Sequence, residues 1–264
     1  MLATETQAVA ANLVEAMRFF GRARVTGEVR DMSGMCLVVS GLNYAAFNAA
    51  LLAEPIDSDG SELSHRVQLS AAHFDSRQLR WTYWMCEDYL ARSVRRDARG
   101  IFGRHGLRPL TEAPGMYAER LLPPTRALPE VELKPVCDDA TRSAFAWITA
   151  IAFEIPHSFC KAIYGSERAW ATGFQGYVGM VNGDPVSTTA TVVAGGAIGV
   201  YSVATLPENR RLGYAEATMR GALRAARKNC GIERTVLQST RSGYSLYEQM
   251  GYRKVTTFNV YIAE

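Results

Sequence analysis

The sequence predicts an α+β fold, a mixed α/β sheet flanked by helices, in two successive domains. Three observations support this prediction. Segments with strand-like and helix-like periodicity alternate along the 264 residues, a proline-rich segment divides them, and a short pattern recurs in both halves. The dividing segment, 121–130, has three prolines in ten residues and is expected to be a stiff, extended linker. We therefore predict one domain at 1–120 and another at 131–264.

The first domain is predicted to hold helices and short strands. Apolar residues recur at helical spacing in 1–20, and Gly21 is expected to end that helix. Aromatic residues concentrate in 79–86, which favours a strand, and the basic segment 92–105 has a helical pattern that ends at Gly106. The other segments are predicted as strands at 23–30 and 35–40, a turn into a short helix at 41–48, a loop at 55–61 and a helix at 62–74.

The second domain is predicted to begin with a strand at 131–136. Asp138 is placed to cap a helix that runs to Phe153, and a second short helix follows, ending near Gly165. Two alternating segments, 174–182 and 186–194, flank Gly183-Asp-Pro185, which predicts a hairpin turn there.

A strand, a polar turn and a helix then follow one another and carry the main functional signal. Residues 198–206 are apolar and β-branched enough for a buried strand, which Pro207 ends because proline has no N–H to donate. After the turn 210–215, apolar residues recur at helical spacing until Gly231. A helix start has unpaired N–H groups and the positive end of the helix dipole, so this turn suits a phosphate or diphosphate.

A ten-residue pattern recurs 145 positions along the chain. Phe102 to Thr111 aligns with Tyr247 to Thr256, with an aromatic residue, a glycine, an apolar residue, an arginine and a threonine at matched places. We interpret this as a duplication in which each copy is a helix, a glycine turn and a strand. The first copy has no glycine near residue 65, where the counterpart of the polar turn is expected.

Composition limits the function classes. The net charge is +3, and the surplus lies in 131–264, which suits an anionic cofactor but is too small to indicate nucleic-acid binding. The sequence has no apolar run of about 18 residues, so no membrane span is predicted. Five cysteines without metal-type spacing predict no metal site and a reducing, cytoplasmic location, and the N-terminus is not typical of a signal peptide.

The turn and the C-terminal segment resemble the GNAT superfamily of acyl-coenzyme A N-acyltransferases. Arg210-x-x-Gly213-x-Ala215 matches the Arg/Gln-x-x-Gly-x-Gly/Ala signature, and Leu246-Tyr-Glu-Gln-Met-Gly-Tyr252 resembles the Leu-Tyr-Glu-x-x-Gly-Phe end of GNAT domains. The order of elements predicted across 131–264 is also that of a GNAT domain. With the duplication, the resemblance implies two GNAT-like domains, each a mostly antiparallel mixed sheet flanked by helices, of which the first lacks the diphosphate turn.

The resemblance implies acetyl-CoA as cosubstrate. The pantetheine arm would pair with the backbone of the strand, the N–H groups of the turn would hold the diphosphate, and two arginines would add positive charge. The cofactor-binding candidates are Val203, Thr205, Arg210, Arg211, Leu212, Gly213, Tyr214 and Ala215.

The catalytic candidates also come from the resemblance. Tyr247 stands where the family's tyrosine often lies near the sulfur, and would give a proton to the departing thiolate. Thr240 replaces the asparagine common seven residues earlier. No carboxylate occurs in 198–206, so Glu154 and His157, in the loop between the first two helices of the second domain, are the alternatives for the base.

The predicted function is transfer of an acetyl or other acyl group from acetyl-CoA to a primary amine of a small molecule, by direct attack through a tetrahedral intermediate. A peptide N-acetyltransferase and a non-catalytic acyl-CoA sensor are the alternatives. The expected partner is thus a small-molecule amine. We expect no binding to nucleic acid or to a membrane, and a homodimer is compatible with the sequence.

Overall fold

The computed structural model describes residues 4–57 and 59–263. The helices are α1 (Glu5–Arg22), α2 (Gly60–Asp75), α3 (Arg92–Arg104), α4 (Asp139–Ala152), α5 (His157–Tyr164), α6 (Glu167–Trp170), α7 (Tyr214–Cys230) and α8 (Tyr244–Gln249). The strands are β1 (Glu28–Met32), β2 (Met35–Val39), β3 (Ala49–Leu52), β4 (Thr82–Cys86), β5 (Leu107–Ala118), β6 (Glu132–Pro135), β7 (Phe174–Val181), β8 (Asp184–Ala194), β9 (Ala197–Thr205), β10 (Thr235–Gln238) and β11 (Arg253–Ala263).

The described strands form one continuous mixed sheet, which confirms the predicted fold class. Their order is β1-β2-β3-β4-β11-β5-β10-β9-β8-β7-β6, and only the β3–β4 and β9–β10 pairs are parallel in the described sheet. Helices cover both faces of the sheet, as the contacts of two glycines in β7 illustrate. Gly176 lies against Trp170 of α6, whereas Gly179, on the opposite face, lies against Thr218 of α7.

The two halves of the chain exchange their last strands. β11, from the second half, lies between β4 and β5 of the first half, and β5 lies between β11 and β10. The long antiparallel β5–β11 ladder, from Leu107–Ala263 to Tyr117–Arg253, is therefore the centre of the sheet. The division into domains at 1–120 and 131–264 stays a prediction about folding units, because hydrogen bonding is continuous across both halves.

The duplicated pattern has the same structure in both copies. α3 leads through Gly106, at φ 74°, into β5, and α8 leads through Gly251, at φ 98°, into β11. Both glycines adopt the left-handed conformation that ends a helix. Phe102 and Tyr247, at matched positions, are both buried.

Helix α1 joins the cores of the two halves. Its residues Val9 and Leu13 pack with the first half, while Phe19 stacks on Phe174 of β7 at 4.1 Å between ring centroids. Asp138 caps α4 as predicted, accepting a hydrogen bond from the N–H of Thr141 at 2.8 Å.

Three local predictions differ from the structure. Gly21 lies inside α1, and its role is spatial, since an added Cβ would lie 2.5 Å from Glu28 O. The β7–β8 hairpin turns at Asn182 and Gly183, both at positive φ, one residue before the predicted position, as expected of an Asn-Gly turn. Strand β3 and helix α6 are present in the structure but not among the predicted elements. The first strand begins at Glu28, whereas the sequence predicted a start at residue 23.

Candidate active site

Strands β9 and β10 pair briefly and then separate. Their parallel pairing joins Ile198 to Thr235 and Gly199 to Val236, but β9 continues to Thr205. Past Gly199, no residue in the described part of the chain pairs with β9 on the β10 side. The gap leaves an edge of β9 backbone to which an extended ligand can hydrogen bond.

A β-bulge accompanies this separation. The register between β8 and β9 shifts between Thr188 and Ala190, opposite Ser202, which has φ 48°. The Thr188 hydroxyl donates to Ser202 O at 2.8 Å and holds the bulge in place. A bulge increases local twist and bends the strand, which directs β9 away from β10.

Two predicted pantetheine-binding residues lie on the unpaired stretch. Val203 is half-buried and packs toward the core that α7 and α8 share, and Thr205 is buried. The Thr205 hydroxyl oxygen is inaccessible to solvent and has no hydrogen-bond partner among the described residues. Their pairing with a pantetheine arm stays a prediction.

The turn before α7 leads into a helix whose start no described side chain caps. Gly213, at φ 94°, is the residue immediately before α7. Arg211 also has a positive φ, 64°, so the backbone reverses between these two residues. The first N–H groups of α7 are therefore unpaired by protein and lie at the positive end of the helix dipole.

The side chains of the turn leave this N-terminus accessible. Arg210, Arg211 and Leu212 are exposed, with Leu212 at 53%. Arg210 folds back, and its Nε donates to Thr205 O at 3.2 Å. Tyr214 and Ala215 form the half-buried first turn of α7. These residues fit the diphosphate of coenzyme A, since no described side chain caps the helix start and glycine at 213 lets a ligand approach the backbone closely.

The linker 121–130 lies against the same turn, which the sequence did not indicate. A Cβ added to Gly213 would lie 2.9 Å from Pro129 Cδ and 3.4 Å from Arg126 Nη2. Arg126 Nη2 also donates to Arg211 O at 3.4 Å.

Tyr247 lies in the core between α7, α8 and the separating strands. It packs in one cluster with Val200 of β9 and Leu237 of β10, and its ring meets that of Tyr252 edge to face at 5.9 Å. The residue is 8% exposed, and burial raises the pKa of its phenol to about 12. No described group hydrogen bonds to its hydroxyl. Tyr247 is therefore protonated at neutral pH and can donate a proton.

Glu154 and His157 lie elsewhere. Both are exposed in and next to the loop between α4 and α5, and Glu154 has φ 56°. Helices α4 and α5 pack in a different core from Tyr247, together with α1. The structure thus brings together the strand, the turn and Tyr247, but places neither base candidate in contact with Tyr247 in the described chain.

Sequence reasoning missed Asn12, which supports β9 from the first half. Asn12 is fully buried, and its amide donates to Val192 O, Ala194 O and Ala197 O at 2.9 to 3.2 Å. The hydroxyl of Tyr201, on β9, donates to Asn12 Oδ1 at 2.8 Å. An available signal was the placement of a polar residue on the apolar face of α1, beside Val9 and Leu13.

The corresponding place in the first half is closed. β3 and β4 pair at three positions, and beyond them Ile56 still bridges to Leu90. The buried Arg66 of α2 donates to Gly34 O and Glu54 O and ion-pairs with Glu62. This corner lies between the end of β3 and the start of α2. The repeat offset predicted it near residue 65, but the strands and turns of the two halves differ in length, so it comes earlier in the chain.

Neither a membrane-spanning helix nor a metal centre is found in the described part of the chain. No helix within 4–57 and 59–263 is both long enough and apolar enough to cross a bilayer. Within the same ranges, no three His, Cys, Asp or Glu side chains gather as metal ligands would.

The second half matches a known family. Residues 133–252 match the family model described as Acetyltransferase (GNAT) family, a range that includes β9, the turn, α7 and Tyr247. No curated protein is similar enough in sequence to count as a match.

Solved structures resemble nearly the whole chain. A GCN5-related N-acetyltransferase from Kribbella flavida is 19% identical with a TM-score of 0.71, and covers 96% of this chain and 95% of its own. Another from Sphaerobacter thermophilus is 16% identical with a TM-score of 0.60, covering 100% and 94%. A tandem GNAT protein from the clavulanic acid biosynthesis pathway is 10% identical with a TM-score of 0.51, covering 87% and 78%.

These likenesses show a shared fold, and they extend it to the first half of the chain. The match at 133–252 includes β9, the turn and α7, while the structural likenesses cover most of the chain. The chain therefore carries a GNAT-family acetyltransferase domain at 133–252, within a tandem arrangement whose N-terminal half is also GNAT-like in fold.

Proposed function

We propose that the protein transfers an acetyl group from acetyl-CoA to a primary amine of a small molecule. One observation carries the proposal: the gap between β9 and β10 leads to the uncapped start of α7, and this combination occurs in the second half, where the family match lies. The gap suits the extended pantetheine arm, and the turn suits the diphosphate. Acetyl-CoA would supply the activated thioester.

The residues support a direct transfer. The amine nitrogen attacks the thioester carbonyl carbon to form a tetrahedral intermediate, and the C–S bond then breaks to leave an amide and a thiolate. The nitrogen gives up one proton to a base, and the departing sulfur takes one from an acid. Tyr247 is protonated at neutral pH and is our candidate for the donor to the thiolate. Glu154 and His157, both exposed, remain the candidates for accepting the amine proton, directly or through water.

The first half favours a small acceptor over a peptide. Helix α1 covers the face of β8 and β9 that also carries α4, with Asn12 bonded to the end of the β8–β9 hairpin. Tyr44 of the first half stacks on Phe159 of α5 at 4.9 Å. We take this face as the acceptor side, and contacts of this kind would leave a small amine more room than a peptide, which needs an open groove.

A non-catalytic acyl-CoA sensor is the second candidate. It is favoured by the absence, among the described residues, of a carboxylate or histidine in contact with Tyr247. The chemistry of the turn is the same for both candidates, so binding alone does not separate them.

The test measures binding and turnover on the full chain. Calorimetry with coenzyme A should show binding that Gly213→Glu abolishes, because the new carboxylate repels the diphosphate. Acetyl-CoA with a panel of small primary amines should release thiol in proportion to acetylated amine found by mass spectrometry. Binding without turnover on any amine would favour the sensor, and absence of binding would contradict both.

We also propose a cytoplasmic location. Cys36, Cys86 and Cys160 are buried free thiols, and burial raises the pKa of Cys36 and Cys160 to about 12. Such thiols are typical of proteins in a reducing compartment. A homodimer stays a prediction.

A further inference from the structure

We propose that Arg126, in the linker between the two halves, is a cofactor-binding residue that contacts the diphosphate of coenzyme A. The inference rests on the function proposed above and adds to it a residue outside the matched family domain, which begins at residue 133. The linker would thereby complete the anion site.

The guanidinium of Arg126 is already beside the turn. Its Nη2 lies 3.4 Å from the Cβ position of Gly213 and 3.4 Å from Arg211 O, which it contacts through a long hydrogen bond. Gly213 directly precedes Tyr214, the first residue of α7, so the positive charge lies next to the unpaired N–H groups at that end of the helix.

Arg126 has donors to spare. A guanidinium carries five N–H donors, and the only hydrogen bond of this side chain to a described residue is the one to Arg211 O. The side chain is exposed and ion-pairs with no carboxylate in the described chain. By contrast, the Nε of Arg210 is occupied by Thr205 O. Arg126 can therefore turn its free edge to a phosphate at little cost.

The linker holds this arginine in place from both sides. At one end, the Leu122 N–H donates to Met250 O at 2.9 Å, and Leu122 O accepts from Arg220 Nη2 at 2.7 Å. At the other end, Pro129 packs against Gly213. A segment anchored in this way loses little further conformational freedom when a ligand binds, so the contact of Arg126 is pre-organised.

The geometry allows an opposite role, in which Arg126 and Pro129 block the turn. Electrostatics argues against this blocking role. A positive charge beside a helix N-terminus strengthens the binding of a dianion, so removing the charge should weaken that binding. The two roles predict opposite signs in one experiment.

The test compares Arg126→Ala with Arg120→Ala on the full chain. Both substitutions remove one exposed positive charge, but Arg120 lies just before the linker, where its carbonyl adjoins Gly251. Calorimetry with coenzyme A should show about tenfold weaker binding for Arg126→Ala, the effect of one charge-assisted hydrogen bond, and little change for Arg120→Ala. Arg126→Lys should fall between wild type and Arg126→Ala.

Two further measurements distinguish binding from structure. The loss should shrink as salt is raised, and the melting temperature without ligand should not change, because the side chain is exposed. Unchanged or tighter binding by Arg126→Ala, with Gly213→Glu still abolishing it, would overturn this inference and leave the proposed function intact. If the wild type fails to bind coenzyme A, the proposed function fails first and this inference with it.

Discussion

Asn12 in α1 and Gly199 in β9 fit together so closely that a Cβ on Gly199 would lie 1.7 Å from Asn12 Oδ1. Gly199 is the last residue of β9 that pairs with β10, so this contact lies where the gap begins. The same Oδ1 accepts the hydroxyl of Tyr201. A helix of the first half thus supports the strand that carries the cofactor candidates of the second half.

Gly199→Ala should destabilise the protein and weaken coenzyme A binding. The methyl group has no space, so α1 or β9 must move, and overpacking of this kind costs about 1–3 kcal/mol. Urea unfolding measures the loss in the free energy of unfolding. Gly173→Ala is the matched control, because its Cβ meets nothing within 4 Å, and equal losses for both would contradict the role assigned to Asn12.

Tyr247→Phe should lower kcat and leave KM for acetyl-CoA nearly unchanged. The ring still fills its place, but no hydroxyl can protonate the thiolate, and general acid catalysis contributes about a hundredfold or more where it is needed. A thiolate leaves fairly well unaided, so a loss near tenfold already supports the role. Tyr244→Phe, on the same helix, is the control, and equal kcat values for all three proteins would show that Tyr247 is structural.

Stability should fall steeply above pH 10. Burial raises the pKa of Tyr247 to about 12 and raises that of Tyr164 and Tyr252 as well. The folded protein therefore keeps protons that the unfolded chain loses above its tyrosine pKa near 10, and each such residue lowers the free energy of unfolding by about 1.4 kcal/mol per pH unit from there to its folded pKa.

Urea unfolding at several pH values between 8 and 11.5 measures this dependence. Tyr247→Phe should show a shallower decline than the wild type, because one raised pKa is removed. A stability that stays constant over this range would contradict the burial of these phenols.

Coenzyme A should bind with a stoichiometry of one per chain. In the first half, β3 and β4 remain paired and Arg66 occupies the corresponding corner, with hydrogen bonds to Gly34 O and Glu54 O. Arg66→Met should reduce stability by about 1–2 kcal/mol, because the hydrogen bonds of Arg66 to Gly34 O and Glu54 O and its ion pair with Glu62 are lost. Calorimetry should give one coenzyme A per chain for the wild type and for Arg66→Met. A value near two for either protein would show that the first half also binds coenzyme A.

Much of the fold and the turn could be predicted from the sequence because the signals are local. The helical spacing in α7, the cap at Asp138 and the glycine at the start of α7 each act within a few residues. The duplicated pattern around Gly106 and Gly251 also survived in the sequence, because both helices end in the same left-handed turn.

The sequence by itself determined the element types, the place of the polar turn and the recurrence of helix, glycine and strand in each half. Only the tertiary structure decided that β5 and β11 exchange between the halves, that Asn12 supports β9 and that Arg126 lies beside Gly213. Periodicity and turn chemistry depend on neighbours along the chain. The choice of a pairing partner more than a hundred residues away depends on how strands and side chains pack together, which no local pattern encodes.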